Sequence, residues 1–322
     1  MLYRRHLRIK ALQALYSWYT GGQDNLVEAE KDLLKGINQL YELFIYQLSF
    51  ILEVRKFAAN RIEQNKKKFY PTQEDLNPNM KFVENAVFGV LEKNNGFNGL
   101  VRKLKINWSE EEEMVRKFYV GLREKDFFKK YMASGNVSFE EDKKFMISLV
   151  DQYLADFEPL KFYYEEKSIY YVDGYDLVLL LLIKFFETVS AKFHEDTPMP
   201  GIFKANGKGD KAANEDLEFL KTLFRETVLR DEENTEIIKA KTKNWEYERI
   251  PLMDIILLKM AIVELQEMET IPIKVTLNEY IELAKYFSTA NSKVFVNGVL
   301  DKLIGEFKAD GKIKKSGRGL KE

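Results

Sequence analysis

The sequence predicts an all-α protein made of two helical bundles packed together. Apolar residues recur every three or four positions over long stretches, as at Leu33, Ile37, Leu40 and Phe44, and this spacing marks one face of an α-helix. Proline and glycine are scarce, with 7 and 17 residues among 322. No alternation of strand-like and helix-like segments is visible, so a parallel sheet is not expected.

The N-terminal part should contain two helices, one over about residues 3–19 and a long one over about residues 25–68. The apolar face of the first helix also carries Arg4 and Arg8. Arginine is rarely buried without a partner. These two side chains should therefore extend past the core or meet a carboxylate or a phosphate.

In the middle of the chain, polar residues indicate where helices begin. Ser109 precedes four glutamates and is a predicted N-cap. Ser138 and Glu141 form a capping-box pattern, which predicts a helix that extends to about residue 157. The apolar periodicity predicts further helices over residues 80–93, 97–106, 173–193 and 215–243.

Near the C-terminus, Thr276 and Glu279 form a capping-box pattern that predicts the start of a helix, and Ser292 is the predicted cap of the next one. Gly298 falls inside that second helix. Because a glycine within a helix costs about 1 kcal/mol relative to alanine, we expect another backbone to approach it closely.

A polar loop separates these two C-terminal helices. Phe287 and Phe295 flank it, and Asn291, Ser292 and Asn297 supply hydrogen-bonding groups. Aromatic rings beside small polar side chains can stack on and hydrogen-bond unpaired bases. The alternative is that both phenylalanines belong to the core.

The net charge of −1 conceals two basic ends. Residues 1–20 carry a charge of +4 and residues 305–322 a charge of +3, so the residues between them carry −8. Such a protein can bind a polyanion if the fold brings the two ends together. Solvated ends without a partner are the alternative.

The chain contains no cysteine and only two histidines, His6 and His194. This composition excludes disulfides, thiolate zinc sites and cysteine nucleophiles, and two histidines are too few to favour a multi-histidine metal site. We predict no cofactor, no enzymatic activity and a cytoplasmic protein. The N-terminus lacks the apolar region of a signal peptide, and the apolar run over residues 177–183 is too short to span a membrane.

Three segments resemble one known family, the NusB-type transcription antitermination factors. The densest is I-P-x-K-V-x-L-N-E-Y-I-E-L-A-K-Y-F followed by S-K-V-F-V-N-G-V-L-D-K-L, between Ile271 and Leu303. The N-terminal R-x-x-A-x-Q-x-L-Y pattern begins at Arg8. The run from Trp245 to Leu265 is similar to the middle signature of the family, although Lys259 stands where an arginine is usual.

The resemblance implies an RNA-binding surface and a partner surface. In the family the N-terminal helix contributes to RNA binding, which favours phosphate contacts through forked, permanently charged arginine heads. The start of the middle helix lies near the surface that meets the ribosomal protein NusE, so Asp254 is the partner-binding candidate. The implied RNA-binding residues are Arg4, Arg5, Arg8, Gln13, Tyr16, Phe287, Asn291, Ser292, Phe295 and Asn297.

The function that the resemblance implies is binding of boxA-type single-stranded RNA in nascent ribosomal RNA transcripts. The implied protein partners are NusE and other transcription elongation factors. One alternative is a helical scaffold that binds only protein. NusB-like domains also occur fused to ribosomal RNA cytosine methyltransferases, but that chemistry needs a cysteine, which this chain lacks.

The predicted domain organisation has four parts. The N-terminal helical half spans residues 1–193, with the family-like arginine-rich helix over 1–20 and an expanded helical region over 21–193. Residues 194–214 contain two prolines and three glycines and form the predicted linker. A C-terminal NusB-like bundle over 215–307 and a basic tail over 308–322 complete the chain.

Overall fold

The computed structural model describes residues 2–22, 24–172, 174–203, 211–242 and 246–320. It confirms the all-α class, since the described residues contain no β-strand and a single isolated bridge pairs Leu2 with Phe203. Within the same described ranges, no helix combines the length and the apolar character needed to cross a membrane.

Sixteen α-helices are found in the described parts of the chain. They are α1 Arg4–Gly21, α2 Leu26–Lys66, α3 Gln73–Leu76, α4 Ala86–Lys93, α5 Asn95–Lys103, α6 Glu112–Glu124, α7 Asp126–Ala133, α8 Phe139–Gln152, α9 Glu158–Lys167, α10 Ile169–Val172, α11 Tyr175–Thr188, α12 Lys211–Leu229, α13 Asp231–Lys241, α14 Leu252–Glu267, α15 Ile273–Phe287 and α16 Ser292–Ala309.

The chain divides into two compact units. Unit 1 comprises Met1–Ile37 and Phe203–Glu322, and unit 2 comprises Asn38–Ile202. The first unit is therefore assembled from both ends of the sequence. The predicted boundaries at residues 193, 214 and 307 stay predictions, and residues 204–210 of the predicted linker and 321–322 of the predicted tail lie outside the described residues.

Helix α14 forms the centre of unit 1. Every residue from Asp254 to Leu265 is buried, because the helix packs against α1, α12, α13, α15 and α16. A helix that is surrounded on all sides needs no polar face. This explains the nearly continuous apolar sequence of α14.

Part of the basic C-terminal segment folds onto the end of α14. The Lys315 ammonium donates to the carbonyl oxygens of Met268, at 2.9 Å, and Glu264, at 3.4 Å. A lysine that caps terminal carbonyl groups also complements the negative end of the helix dipole. Lys315 is thus a structural residue of unit 1.

Unit 2 has an aromatic core. Phe50 of α2 contacts the rings of Trp108, Phe118 and Phe157 at centroid distances of 5.2, 5.1 and 6.5 Å. The first two rings meet Phe50 edge to face and the third is stacked with it. Both arrangements stabilise a core beyond the burial of apolar area alone. In the same unit, α8 packs along α11.

Some predicted helix starts are confirmed and others are wrong. The Ser138 hydroxyl accepts the Glu141 amide as predicted and begins α8. The predicted cap at Thr276 is wrong, because α15 already begins at Ile273, directly after Pro272. Ser109 caps no helix through its side chain and instead begins a short 3-10 turn.

Two further expectations about the C-terminal half are also wrong. The single helix predicted over residues 215–243 is two helices, α12 and α13, separated at Arg230, whose φ and ψ of −99° and 26° depart from helical values. The expected close approach of a backbone to Gly298 does not occur, because a Cβ built there would meet no atom within 4 Å.

Candidate nucleic-acid interface

One side of α1 brings together three of the predicted RNA-binding residues. Arg5, Gln13 and Tyr16 are separated by eight and three positions, which places them within about 80° of one another around a helix. Arg5 and Tyr16 are exposed and Gln13 is half-buried. The opposite side of α1 is held in the core by Leu7, Ala11 and Leu15, which are all buried.

The exposed arginines of α1 already have carboxylate partners. Arg5 donates from Nε and Nη2 to the Glu279 carboxylate at 2.8 and 2.7 Å. Arg4 donates from Nε to Asp216 at 3.2 Å and lies over the Phe219 ring. Their side chains remain 50% and 33% exposed, so both can be reached from solvent.

Glu279 sits between Arg5 and Arg8. Burial alone would raise the pKa of Glu279, but the hydrogen bonds of Arg5 and the charge of Arg8 outweigh burial and hold the pKa below its ordinary value. The carboxylate is therefore ionised whenever the protein is folded near neutral pH. Glu279 thus neutralises an arginine charge that an RNA phosphate could otherwise bind.

Arg8 lies in the interior. Its side chain is 3% exposed, and its Nη2 and Nε atoms donate to the Glu264 carboxylate at 2.6 and 2.7 Å. The Thr276 hydroxyl and the Tyr280 hydroxyl also donate to Glu264, at 2.9 and 3.1 Å. Arg8 thus has an internal partner, and this geometry does not favour its predicted contact with RNA.

The same buried network explains why Thr276 is no helix cap. Its hydroxyl lies in the core and donates to Glu264, and Thr276 stands inside α15, which begins at Ile273, and not at the position of a cap. Glu279, the other member of the predicted capping box, instead binds Arg5. Hydrogen bonds to distant residues thus replace the local ones that a capping box would form.

Ser292 and Asp254 also have internal partners. The Ser292 hydroxyl accepts the Thr289 amide at 3.1 Å and donates to the Asp254 carboxylate at 2.7 Å. Asp254 is 2% exposed, so it lies behind the loop and its predicted direct contact with a protein partner is not favoured. Both residues fix the loop between α15 and α16.

Four other predicted base-contacting residues lie around that loop, and each is at least partly exposed to solvent. Phe287 is 38% exposed at the end of α15. Asn291 is exposed directly before α16, and Phe295 and Asn297 in its first two turns are half-buried. This part of the surface combines aromatic rings and amides, as stacking and hydrogen bonding to unpaired bases require.

The structure also indicates residues that the sequence reading missed. Tyr286 is 69% exposed, and it follows Glu279 by seven positions on α15, which places it on the same helix face. The carboxylates of Asp216, Glu279 and Glu264 bind Arg4, Arg5 and Arg8 of α1. The apolar spacing of α15 gives no signal for Tyr286, because Tyr286 lies only about 60° around the helix from the buried Leu283.

Lys259 stands at the position where the family usually has an arginine. Its side chain is 5% exposed, its ammonium binds Asp231 at 2.5 Å, and it lies 5.1 Å from the centre of the Tyr19 ring. The cation is therefore paired within unit 1. Trp245, which begins the same sequence signature, lies outside the described residues.

Among the described residues, no three histidine or carboxylate side chains are grouped closely enough to hold a metal ion. The chemistry that the surface offers is hydrogen bonding, stacking and charge, all of which serve binding.

Comparison with known proteins finds one family to which part of this chain is similar. A family model described as the NusB family matches residues 188–305. These residues thus form a NusB family domain, and the chain is longer than its NusB homologues. No solved structure gives a significant match.

Three curated relatives carry the name transcription antitermination protein NusB. The protein of Salinibacter ruber is 46% identical over 103 residues, which is 32% of this chain and 64% of the relative. That of Chloroherpeton thalassium is 45% identical over 83 residues, or 26% and 39%. That of Clostridium botulinum is 40% identical over 89 residues, or 28% and 62%. The chain thus matches less than two thirds of the length of each.

Proposed function

We propose that this protein is a transcription antitermination factor that acts by binding RNA. The observation that carries the proposal is the NusB family match over residues 188–305, with relatives at 40–46% identity that are named transcription antitermination proteins. The matched segment contains α15, the loop after it and most of α16, where the base-contacting candidates lie.

The proposed ligand is boxA-type single-stranded RNA of nascent ribosomal RNA transcripts, bound together with the ribosomal protein NusE. Arg4 and Arg5 would contact phosphates, which provides affinity and salt dependence without sequence preference. Phe287, Asn291, Phe295 and Asn297 would stack on and hydrogen-bond the bases, which provides the preference. Gln13 and Tyr16 extend the surface along α1.

Three of the predicted contact residues take a different part in this proposal. Arg8 ties α1 to α14 and α15 through Glu264, and Ser292 ties the loop to Asp254. Each of these residues is buried, so it would contribute to binding only by holding neighbouring side chains in position. Loss of Arg8 should therefore weaken folding first and RNA binding only as a consequence.

RNA phosphates would have to compete with carboxylates for the arginines. The Arg5–Glu279 pair is partly solvated, and such pairs contribute little net free energy. A phosphate carries a full charge and accepts the same two-pronged contact from a guanidinium group. Replacement of Glu279 by an RNA phosphate as the partner of Arg5 should therefore cost little free energy.

The test is fluorescence anisotropy with labelled boxA RNA and a scrambled RNA over a salt series, with and without NusE. We expect tighter binding of boxA, strengthened by NusE, and a smaller salt slope for an Arg4→Ala/Arg5→Ala variant. Arg116→Ala is the matched control, because Arg116 forms an exposed pair with Glu113 in unit 2. A salt slope that the double variant leaves unchanged would remove these arginines from the site.

A protein scaffold without RNA binding is the second candidate, and one observation favours it. All three arginines of α1 are already bonded to carboxylates within unit 1, as expected if their role is structural. Retained binding of NusE with no preference among the RNAs in the same titrations would establish the scaffold and contradict RNA recognition.

A further inference from the structure

Unit 2 contains a pocket in a part of the chain that the NusB family match does not reach. Its volume is about 180 Å³, and it is formed by α9, α10 and α11. The lining residues are Lys161, Tyr164, Glu165, Tyr171, Tyr175 and Asp176.

Three tyrosine rings make up the aromatic part of the pocket wall. Tyr164 packs against Tyr171 and Tyr175 at centroid distances of 5.9 and 6.2 Å, so each ring is held in place by another. The face of an aromatic ring carries negative electrostatic potential and attracts cations. The Lys161 ammonium already lies 5.7 Å from the centre of the Tyr175 ring.

Carboxylates make the pocket negative. Glu165 and Asp176 line it, and neither forms an ion pair with another residue that the structure describes. Lys161 is the single cation among the six lining residues, and its ammonium is bonded to Glu158 at 3.1 Å. The six side chains therefore carry a net charge of about −1 near neutral pH, which disfavours an anionic ligand.

The tyrosine hydroxyl groups respond to the same negative field. Burial raises the pKa of Tyr175, and the charges of Asp176, Glu158 and Asp156 raise it further. Burial and the charge of Glu42 likewise raise the pKa of Tyr171. These hydroxyl groups remain neutral near pH 7, so their oxygens are available as acceptors.

One hydroxyl in the pocket wall lacks a partner. Tyr164 is 1% exposed, and its hydroxyl group makes no hydrogen bond to any residue within the described ranges. A buried polar group without a partner is unfavourable. By contrast, the hydroxyl of Tyr175 donates to the carbonyl oxygen of Leu154 at 3.1 Å.

We propose that this pocket binds a small organic cation with N–H donors, namely a primary ammonium or a guanidinium group on a short aliphatic chain. The Tyr164 hydroxyl oxygen accepts an N–H of the ligand, the tyrosine rings surround its charge, and Glu165 and Asp176 neutralise it. A free amine and the side chain of a basic residue in a partner protein share this chemistry. The site does not depend on RNA binding by unit 1.

The test is calorimetric titration of the full chain at neutral pH with n-butylammonium, with N-acetyl-lysine methylamide and with neutral butan-1-ol. We expect saturable binding of the cations with a Kd on the order of 1 mM and no binding of the alcohol. Tighter binding of n-butylammonium would indicate a free amine, and tighter binding of the lysine derivative a protein side chain. Equal heats for the alcohol and the cations would overturn the proposal.

Two variants separate the ligand contacts from effects on folding. Glu165→Gln/Asp176→Asn should raise the Kd of the cations about tenfold, whereas Glu166→Gln on the same helix should leave it unchanged. Tyr164→Phe should raise the Kd without lowering Tm, because the lost hydroxyl had no partner. Tyr153→Phe is its control, since it removes a hydrogen bond to the carbonyl oxygen of Phe118 away from the pocket and should lower Tm alone.

If neither the charge variant nor Tyr164→Phe weakens cation binding, the ligand binds elsewhere and the proposal is wrong. The absence of any saturable binding to the unmodified chain would do the same. Both outcomes are independent of the RNA titrations, so failure of this proposal and failure of the antitermination proposal are distinguishable.

Discussion

The Arg8 guanidinium makes two hydrogen bonds, of 2.6 and 2.7 Å, to the carboxylate of Glu264, a residue 256 positions away in the sequence. Burial alone would lower the pKa of Arg8, but the charge and hydrogen bonds of Glu264 outweigh burial and raise it. The pair joins the N-terminal helix to the central helix of unit 1. It turns a residue of the arginine-rich motif into part of the core.

The first prediction concerns this buried pair. Arg8→Met should reduce the free energy of unfolding by about 3–5 kcal/mol, because the Glu264 carboxylate would remain buried without its cation. Arg8→Met/Glu264→Gln should recover part of the loss, since no charge is then left buried. Chemical denaturation followed by circular dichroism measures both. Arg116→Ala, at an exposed pair, should change stability by less than about 0.5 kcal/mol, and an equal effect of Arg8→Met would show that the Arg8 pair is dispensable.

The second prediction concerns the carboxylate that engages Arg5. Glu279→Gln should tighten RNA binding by about threefold at low salt, because it removes a negative charge and releases Arg5 for a phosphate. The gain should shrink as salt rises, since the contact is electrostatic. Anisotropy titrations at several salt concentrations measure this. Weaker binding by the variant would mean that Glu279 positions Arg5 for RNA instead of competing with it.

The third prediction concerns acid stability. The pKa of Glu279 is lower in the folded protein than its ordinary value of 4.5. Its contribution to stability is therefore fully present above about pH 4.5 and is lost as pH falls through the lower, folded pKa. Glu279→Gln should flatten the decline of stability in this acidic range. Urea denaturation at a series of pH values compares the two proteins, and parallel curves would contradict the assigned cause of the pKa shift.

The fourth prediction compares two glycines of unit 1. Gly298→Ala should stabilise the protein by about 1 kcal/mol, because the new Cβ meets open space on α16 and the helix gains a better helix former. Gly319→Ala should destabilise it, since a Cβ there would collide with the carbonyl oxygen of Glu269. Thermal unfolding measures both. If Gly298→Ala keeps its stability but loses NusE or RNA binding, the glycine serves close approach of a partner.

The sequence predicted the helices well where apolar spacing was regular and long. The long helix expected over residues 25–68 is α2, Leu26–Lys66. Ser138 was predictable as a cap because its partner amide is three residues away. Local signals of this kind depend only on neighbouring residues, so no knowledge of the rest of the fold is needed.

Predictions failed where a distant partner replaced a local one. Thr276 has the sequence of a capping residue, but its hydroxyl donates to Glu264. Ser292 was expected to cap the last helix, but α16 already begins at Ser292, and its hydroxyl donates to Asp254, 38 positions away. A single sequence without structural information does not reveal which carboxylate lies beside which hydroxyl.

By itself, the sequence determined the helical class of this protein and its resemblance to one family, because both follow from local spacing and residue identity. The tertiary structure decided which arginines of α1 are reachable from solvent and which is locked in the core. The physical reason is burial, since a charge taken out of water must find an opposite charge there. For Arg8 that charge comes from Glu264 of α14, which only folding brings beside it.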